Sequence, residues 1–504
     1  MKPFRQFFTS IVIVIIFLFT SSVATASQLR FEVYARPMSN LIYQLDCMAQ
    51  IFRCSSKVYE ELWRKKLHWN SVDKDWLDQW KEVRLKYHQG EIKLDEPPTK
   101  PLALPWSGPI GIQLGDKFLI ATYHATGRGD LRTRLETLVA PTDMETIDSA
   151  LIHFEPRFMT WWKESAHLSL LTFQKELTKK VNQPEMRKQT EKFANFYDVK
   201  FPQNYPIYLN LFYRPTSDIK DTHATVSDNH AAIEVLSGEK VSNVLDVVIH
   251  EICHFFFSSS PVEKKRQLTE AFAGSNDPLA LATYNILDEG IATAFGNGIA
   301  AEFWMDSKHF KERLEKERGF YNDAAIDAAA KSLLTVLKED LNQEKTLFAP
   351  DFPDKAISAL RVGMPDLIRA PARLLSELTT IYDPKFKAVV KEKVRRILRG
   401  ALYSKEGLEN NSSWEFLEKY PKLNAMLFVL PESLQFLKDR SQWIPQKDKE
   451  AIRSIFEKRN SFVYAIERYP STYTFVIAGK SPDEVEKEFI RLFETKNRFI
   501  GLLP

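Results

Sequence analysis

Val247-Val248-Ile249-His250-Glu251-Ile252-Cys253-His254-Phe255-Phe256-Phe257 is the stretch from which the rest of this chain can be read. On an α-helix, residues i and i+4 share a face, so His250 and His254 can grip one ion together. Glu251 projects beside them, close enough to take a proton from water activated by that ion. Apolar residues flank the motif on both sides and neither variable position carries a charge, which predicts a buried helix over Val244–Phe257. With ten histidines in 504 residues, a chance H-E-x-x-H is uncommon. The bland alternative is a buried helix whose two imidazoles are satisfied by hydrogen bonds. Cys253 adjoins His254, so it points away from the ion and reads as a small buried hydrophobe.

Two imidazoles leave zinc under-coordinated, because a catalytic site needs three protein ligands and an open position for water. No Gly-x-x-His follows His254, so a close-spaced third histidine is excluded. The downstream carboxylates are Glu263, Glu270, Asp277, Asp288 and Glu289. Glu263 stands among Lys264, Lys265 and Arg266 in a solvated turn. Glu289 lies in Leu287-Asp288-Glu289-Gly290-Ile291-Ala292-Thr293-Ala294, an apolar helical run where a carboxylate without a partner is costly. Asp277 and Pro278 suit the start of that helix. Gly290, Ala292 and Ala294 would let it approach the motif helix closely. Glu289 is therefore the expected third ligand, with an ordinary buried or capping glutamate as the bland alternative.

At these positions the chain resembles the gluzincin group, the thermolysin-like clan of zinc metallopeptidases. Members pair H-E-x-x-H with a glutamate on a second helix, often in an E-G-x-A run, and Glu289-Gly290-Ile291-Ala292 matches that element. The resemblance covers about residues 200–325. There are departures: Thr293 stands where many members carry an Asp that orients a ligand His, the gap after His254 is longer than in the type member, and no G-x-M-E-N pattern appears. The resemblance implies a zincin-like core with one zinc ion held by His250, His254 and Glu289. Such an ion lowers the pKa of a bound water toward ~7, and Glu251 would act as general base on it. A downstream Tyr or His donates to the developing oxyanion in this clan, and Tyr321 or His309 could serve. The strands before the motif helix would form a sheet whose edge binds an extended peptide or protein substrate.

The N-terminus reads as a secretory signal over residues 1–26. Lys2 and Arg5 precede an apolar run from Ile11 to Phe19, and Ala24-Thr25-Ala26 offers a cleavage site before Ser27. The run is short for a ~20-residue membrane span. The expectation is an exported, periplasmic or secreted protein with no integral span after cleavage. A formal net charge of +3 on 504 residues gives no reason to expect nucleic acid as partner. Of three cysteines, Cys47 and Cys54 could pair in an oxidising compartment. One unbroken helix would hold them about 10 Å apart, so a bridge predicts a bend between them.

High aromatic content and scarce glycine suit an α+β, predominantly helical enzyme. The expected regions are a mainly helical 27–105, a metallopeptidase core over 106–345, a helical 346–420 and an α/β unit over 421–504. Trp63, Trp69, Trp76 and Trp80 read as packing residues, and Pro97, Pro98, Pro101 and Pro105 as a linker. A β segment is expected near Ile110–Tyr123 and a long amphipathic helix over Arg157–Leu177. Strands are expected over Tyr208–Tyr213 and Ala231–Leu236, and helices over 279–303, 323–340, 366–379 and 385–399. The last eighty or so residues run β-α-β-β-α-β, which fits a ferredoxin-like unit. The function expected is a zinc-dependent peptidase. The alternatives are a non-catalytic zinc-binding or degenerate peptidase module that recognises peptides or cell-envelope partners, and a helical envelope protein with an accidental motif.

Overall fold

The computed structural model describes residues 29–52, 54–88, 114–215, 223–365, 378–386, 402–437, 443–470, 472–495 and 499–504. The expected signal segment and the proline-rich linker lie outside these residues, as do almost all of the helices expected over 366–379 and 385–399. The fold is α+β and mostly helical, with small mixed sheets. Among the described residues, no helix is long and apolar enough to cross a membrane.

The first sheet holds β1 (Leu29–Tyr34), β2 (Tyr205–Arg214), β3 (Ala224–Ser227) and β4 (His230–Leu236), in the order β1-β2-β4-β3. β1, β2 and β4 run parallel, and β3 closes one edge antiparallel to β4. Parallel strands are covered on both faces and so read as continuous apolar runs. β2 obeys this: Phe212 stacks on Tyr43 at 4.0 Å, while its neighbour Tyr213 meets Trp161 at 5.8 Å. Alternate side chains thus reach opposite layers.

The helix Pro37–Met48 starts with proline in its first turn and is buried over most of its length. Cys47 and Cys54 are joined in a disulfide with Cα atoms 5.9 Å apart, and the helix ends between them, as the bend required. Just beyond, Ser55 donates to Glu234 of β4 at 2.6 Å, tying this turn to the sheet. Trp63 and Trp80 are fully buried, and Trp69 and Trp76 pack against the same core. The expected amphipathic helix is part of a longer rod: Pro141–Trp161, a π turn at Trp162–Ala166, then His167–Val181.

One expectation fails here. Residues Leu114–His124 form a helix rather than a β segment. Gly115, Phe118, Ala121 and Thr122 are buried at a spacing that follows the helical period, with Tyr123 buried beside them. β1 pairs with β2, and among the described residues one hydrophobic core cluster runs from Leu29 to Leu360.

The second sheet holds β5 (Leu378–Tyr382), β6 (Leu402–Glu406), β7 (Asn424–Val429), β8 (Ser461–Tyr469), β9 (Thr472–Gly479) and β10 (Gly501–Leu502). Its order is β10-β8-β9-β7-β5-β6. On β7, Ala425, Leu427 and Val429 enter one core with Trp414 and Ile452, while Met426 and Phe428 enter another with Val485 and Phe489. The β-α-β-β-α-β order from β7 to β10 is present, but the unit is not ferredoxin-like. There the last strand pairs with the first. Here β9 and β5 occupy both edges of β7, so β10 adds antiparallel to β8 instead. β5 also falls where the end of the helix over 366–379 was expected.

Candidate metal centre

The motif helix spans Leu245–Ser259, with Val248, Ile249, Ile252, Phe255 and Phe256 buried. The second helix, Ala280–Thr293, continues as a buried π stretch, Ala294–Ala300. Asp277 accepts the Leu279 N–H at 2.9 Å just before this helix begins. Gly290 does not face the motif helix; an added Cβ would lie 3.3 Å from Ala329 and Leu333 of the helix Ala324–Asn342. The close approach is made by Gly296, where a Cβ would fall 2.5 Å from the Asp246 carbonyl oxygen and 2.8 Å from the His250 nitrogen. Glycine at that position lets the π stretch lie directly on the backbone that carries His250.

These two helices bring His250, His254 and Glu289 together, with ligand atoms all within 4.8 Å of one another. The two Nε2 atoms are 3.0 Å apart, and Glu289 Oε2 is 3.6 Å from His250 Nε2 and 3.9 Å from His254 Nε2. Tetrahedral ligands at zinc's usual bond lengths stand about 3.4 Å from one another, so the triangle has the size for one ion. The opposite ring nitrogens are also occupied. His254 Nδ1 donates to Asp288 at 3.0 Å, and His250 Nδ1 lies 3.3 Å from the Thr293 hydroxyl. An imidazole with its proton held on Nδ1 presents a bare Nε2 lone pair, the form that binds metal. The chemistry of the donor set therefore fits a metal ion.

The electrostatics agree. Burial pushes His250 well below its ordinary pKa, and His254 beside it adds to the effect. Burial also opposes charge on His254, but Asp288, Glu289 and Glu251 outweigh it and lift that imidazole to about 10. Glu251 is raised to about 7 by burial, reinforced by Glu289 and Asp288 and opposed by His254. Acidic groups crowd a pair of imidazoles, and positive charge between them is favoured. Glu289 is 37% exposed where His250 is 5% exposed, so the centre opens to solvent on the glutamate side.

Tyr321 stacks on the His250 ring at 5.4 Å with an interplanar angle of 18°. His309 is placed elsewhere in character: it is exposed and pairs with Asp306 at the start of Ser307–Glu315, so it offers nothing to a buried centre. Glu263 pairs with Arg266 in solvent, and neither it nor Glu270 joins the ligand group. Cys253 is buried and free, with burial raising its thiol pKa. Two roles lie beyond what the motif spacing predicts: Asp288 and Thr293 each meet the far nitrogen of one of the two imidazoles. Thr293 sits four residues after Glu289, one turn along the same face, and that spacing was the available signal.

Comparisons of the chain with protein-family models, with curated proteins and with solved structures find no match, so what this centre does has to follow from its own geometry.

Proposed function

We propose that the chain is an exported zinc-dependent peptidase of gluzincin type. The reading is carried by one observation: His250, His254 and Glu289 converge while Asp288 and Thr293 hold the far sides of both imidazoles. A buried structural helix has no need of all five groups. Zinc bound there supplies a Lewis acid that brings water toward a pKa of ~7. Glu251 accepts the proton of the attacking water and returns it to the leaving amine, a cycle suited to a carboxylate whose pKa burial has raised to about 7. Tyr321, whose ring lies against His250, would be the donor to the oxyanion. β3, which among the described residues pairs with β4 alone, would offer an edge to an extended peptide. Support for export comes from the Lys2–Ala26 pattern and from the Cys47–Cys54 bridge, which belongs to an oxidising compartment.

Glu251→Gln tests this. It preserves side-chain shape and leaves the ligands intact, so purified residues 27–504 should hold about one zinc as before, while cleavage of a mixed peptide library falls at least ~10²-fold. Zinc-loaded wild type that cleaves nothing would instead favour a binding module. Full activity in the variant would overturn the mechanism.

A further inference from the structure

Tyr321 is partly buried, and the turn that carries it is fixed from several directions. Asp246 lies one helical turn before His250 on the motif helix. Arg313 spans outward from it: one guanidinium nitrogen, Nη2, donates to Asp246 at 3.0 Å, and Nε donates to the Gly319 carbonyl at 2.9 Å. From the other side, the buried carboxylate of Asp327 accepts the backbone N–H groups of Arg318 at 3.1 Å, Phe320 at 2.7 Å and Tyr321 at 3.3 Å. Lys331 pairs with the same carboxylate at 2.9 Å. Gly319 is required by close approach, since a Cβ there would fall 1.9 Å from the Arg313 carbonyl oxygen. Arg318 takes a left-handed φ of 59°. Phe320 is 4% exposed and serves the core, whereas Tyr321 contributes its ring to His250.

We propose that Arg313 and Asp327 are positioning residues that clamp the 318–321 turn so that Tyr321 lies flat against His250. Through Arg313 the turn is fastened to Asp246 on the very helix that carries the ligands, so the tyrosine and the imidazole move as one body. The ring of His250 is then held on its face by Tyr321 and on its far edge by Thr293. Both constraints limit rotation of the imidazole, which pre-organises its Nε2.

The test reads His250 directly, in metal-free protein with ¹³C-labelled histidine. A stacked tyrosine shifts the imidazole ring-proton resonances, so Tyr321→Ala should displace the His250 signal while the other histidine signals stay in place. Arg313→Gln and Asp327→Asn should each reproduce part of that displacement. In the Tyr321→Ala background they should add nothing, because they act through the tyrosine. Arg313→Lys is the fallback if Arg313→Gln does not fold. It keeps a charge opposite Asp246 but loses the planar fork that also reaches Gly319, so it should behave like Arg313→Gln. Shifts that add in the double variants, or an unmoved His250 signal in the Arg313 variants, would overturn the clamp.

A second measurement, zinc affinity by chelator competition, should weaken about 10-fold in Arg313→Gln, the lower end of what losing an outer partner costs. That measurement alone rests on the zinc reading. Wild type that binds no metal defeats the peptidase proposal, and the resonance comparison still decides the clamp.

Discussion

Among the described residues two histidine pairs meet nitrogen to nitrogen, and one of them lies with a carboxylate in a group positioned to hold a metal ion. His250 and His254 place their Nε2 atoms 3.0 Å apart; His124, at the end of the helix Leu114–His124, and His230, on β4, place theirs 2.7 Å apart. The contact itself does not separate them. In the first pair both Nδ1 atoms meet oxygen partners, from Thr293 and Asp288, and Glu289 supplies a third donor. In the second, His230 Nδ1 is buried with no hydrogen-bond partner, and among the described residues no third metal-ligating side chain joins the pair. A bare lone pair is less costly to bury there than an N–H. The His230 proton therefore belongs on Nε2, where it donates to His124 in a neutral hydrogen bond.

The surrounding fields differ in the same sense. Carboxylates raise His254 to about 10, whereas burial and then His124 drive His230 down to about 3. His124 is lowered too, by burial and then by Arg36 and Arg134, against weaker opposition from Glu32 and Asp130. A pair of imidazoles becomes a ligand pair when acceptors hold its far nitrogens and anions crowd its near ones.

The sharpest way to break this contrast is to remove one member of each pair. His254→Ala should lose essentially all bound zinc, because a direct ligand is gone. His230→Gln should keep about one ion per chain, measured by elemental analysis after dialysis; loss of metal in that variant would erase the distinction. A smaller effect is expected from the far-side partners. Asp288→Asn removes the charge but retains an acceptor, and should weaken zinc binding roughly 10–100-fold, with Thr293→Val toward the lower end of that range.

A further effect is expected in acid. His230 has a folded pKa of about 3 against an unfolded value near 6.5, so between these the unfolded chain binds the extra proton. Stability from this residue is complete above pH ~6.5 and declines as pH falls toward ~3. Thermal unfolding of His230→Gln should therefore flatten over that window relative to wild type. Unchanged slopes would mean that His230 titrates normally.

What the sequence made legible was whatever repeats along one helix. His250, Glu251 and His254 follow from i,i+4 spacing, and Glu289 from the cost of a carboxylate in an apolar run. The partners of the imidazoles depend on how the second helix is rotated against the first, and that rotation is set by Gly296 and the π stretch rather than by any periodicity. The same limit appears in the second sheet. Its helices and strands from Asn424 onward follow local pattern, and Ser481 caps Pro482–Glu494 by accepting the Glu484 N–H. Which strand lies beside β7 is decided by β5, distant in sequence. Leu114–His124 departs from its expected strand because a short apolar run suits either period, and its helical spacing emerges only once its buried positions are known.

The π stretch Ala294–Ala300 also has a genetic consequence. A π turn carries more residues than the α turn it replaces, while the helix axis continues through it. Losing one codon in this stretch would let it tighten toward α geometry. Everything beyond would be turned around the axis, and Asn297, which donates to Asp246 at 3.0 Å, would be carried away from that partner. The ligand helix upstream, ending at Thr293, would keep its sequence intact. In-frame deletion here therefore separates two properties that substitutions confound: the presence of the three ligands and the seating of the helix beneath them.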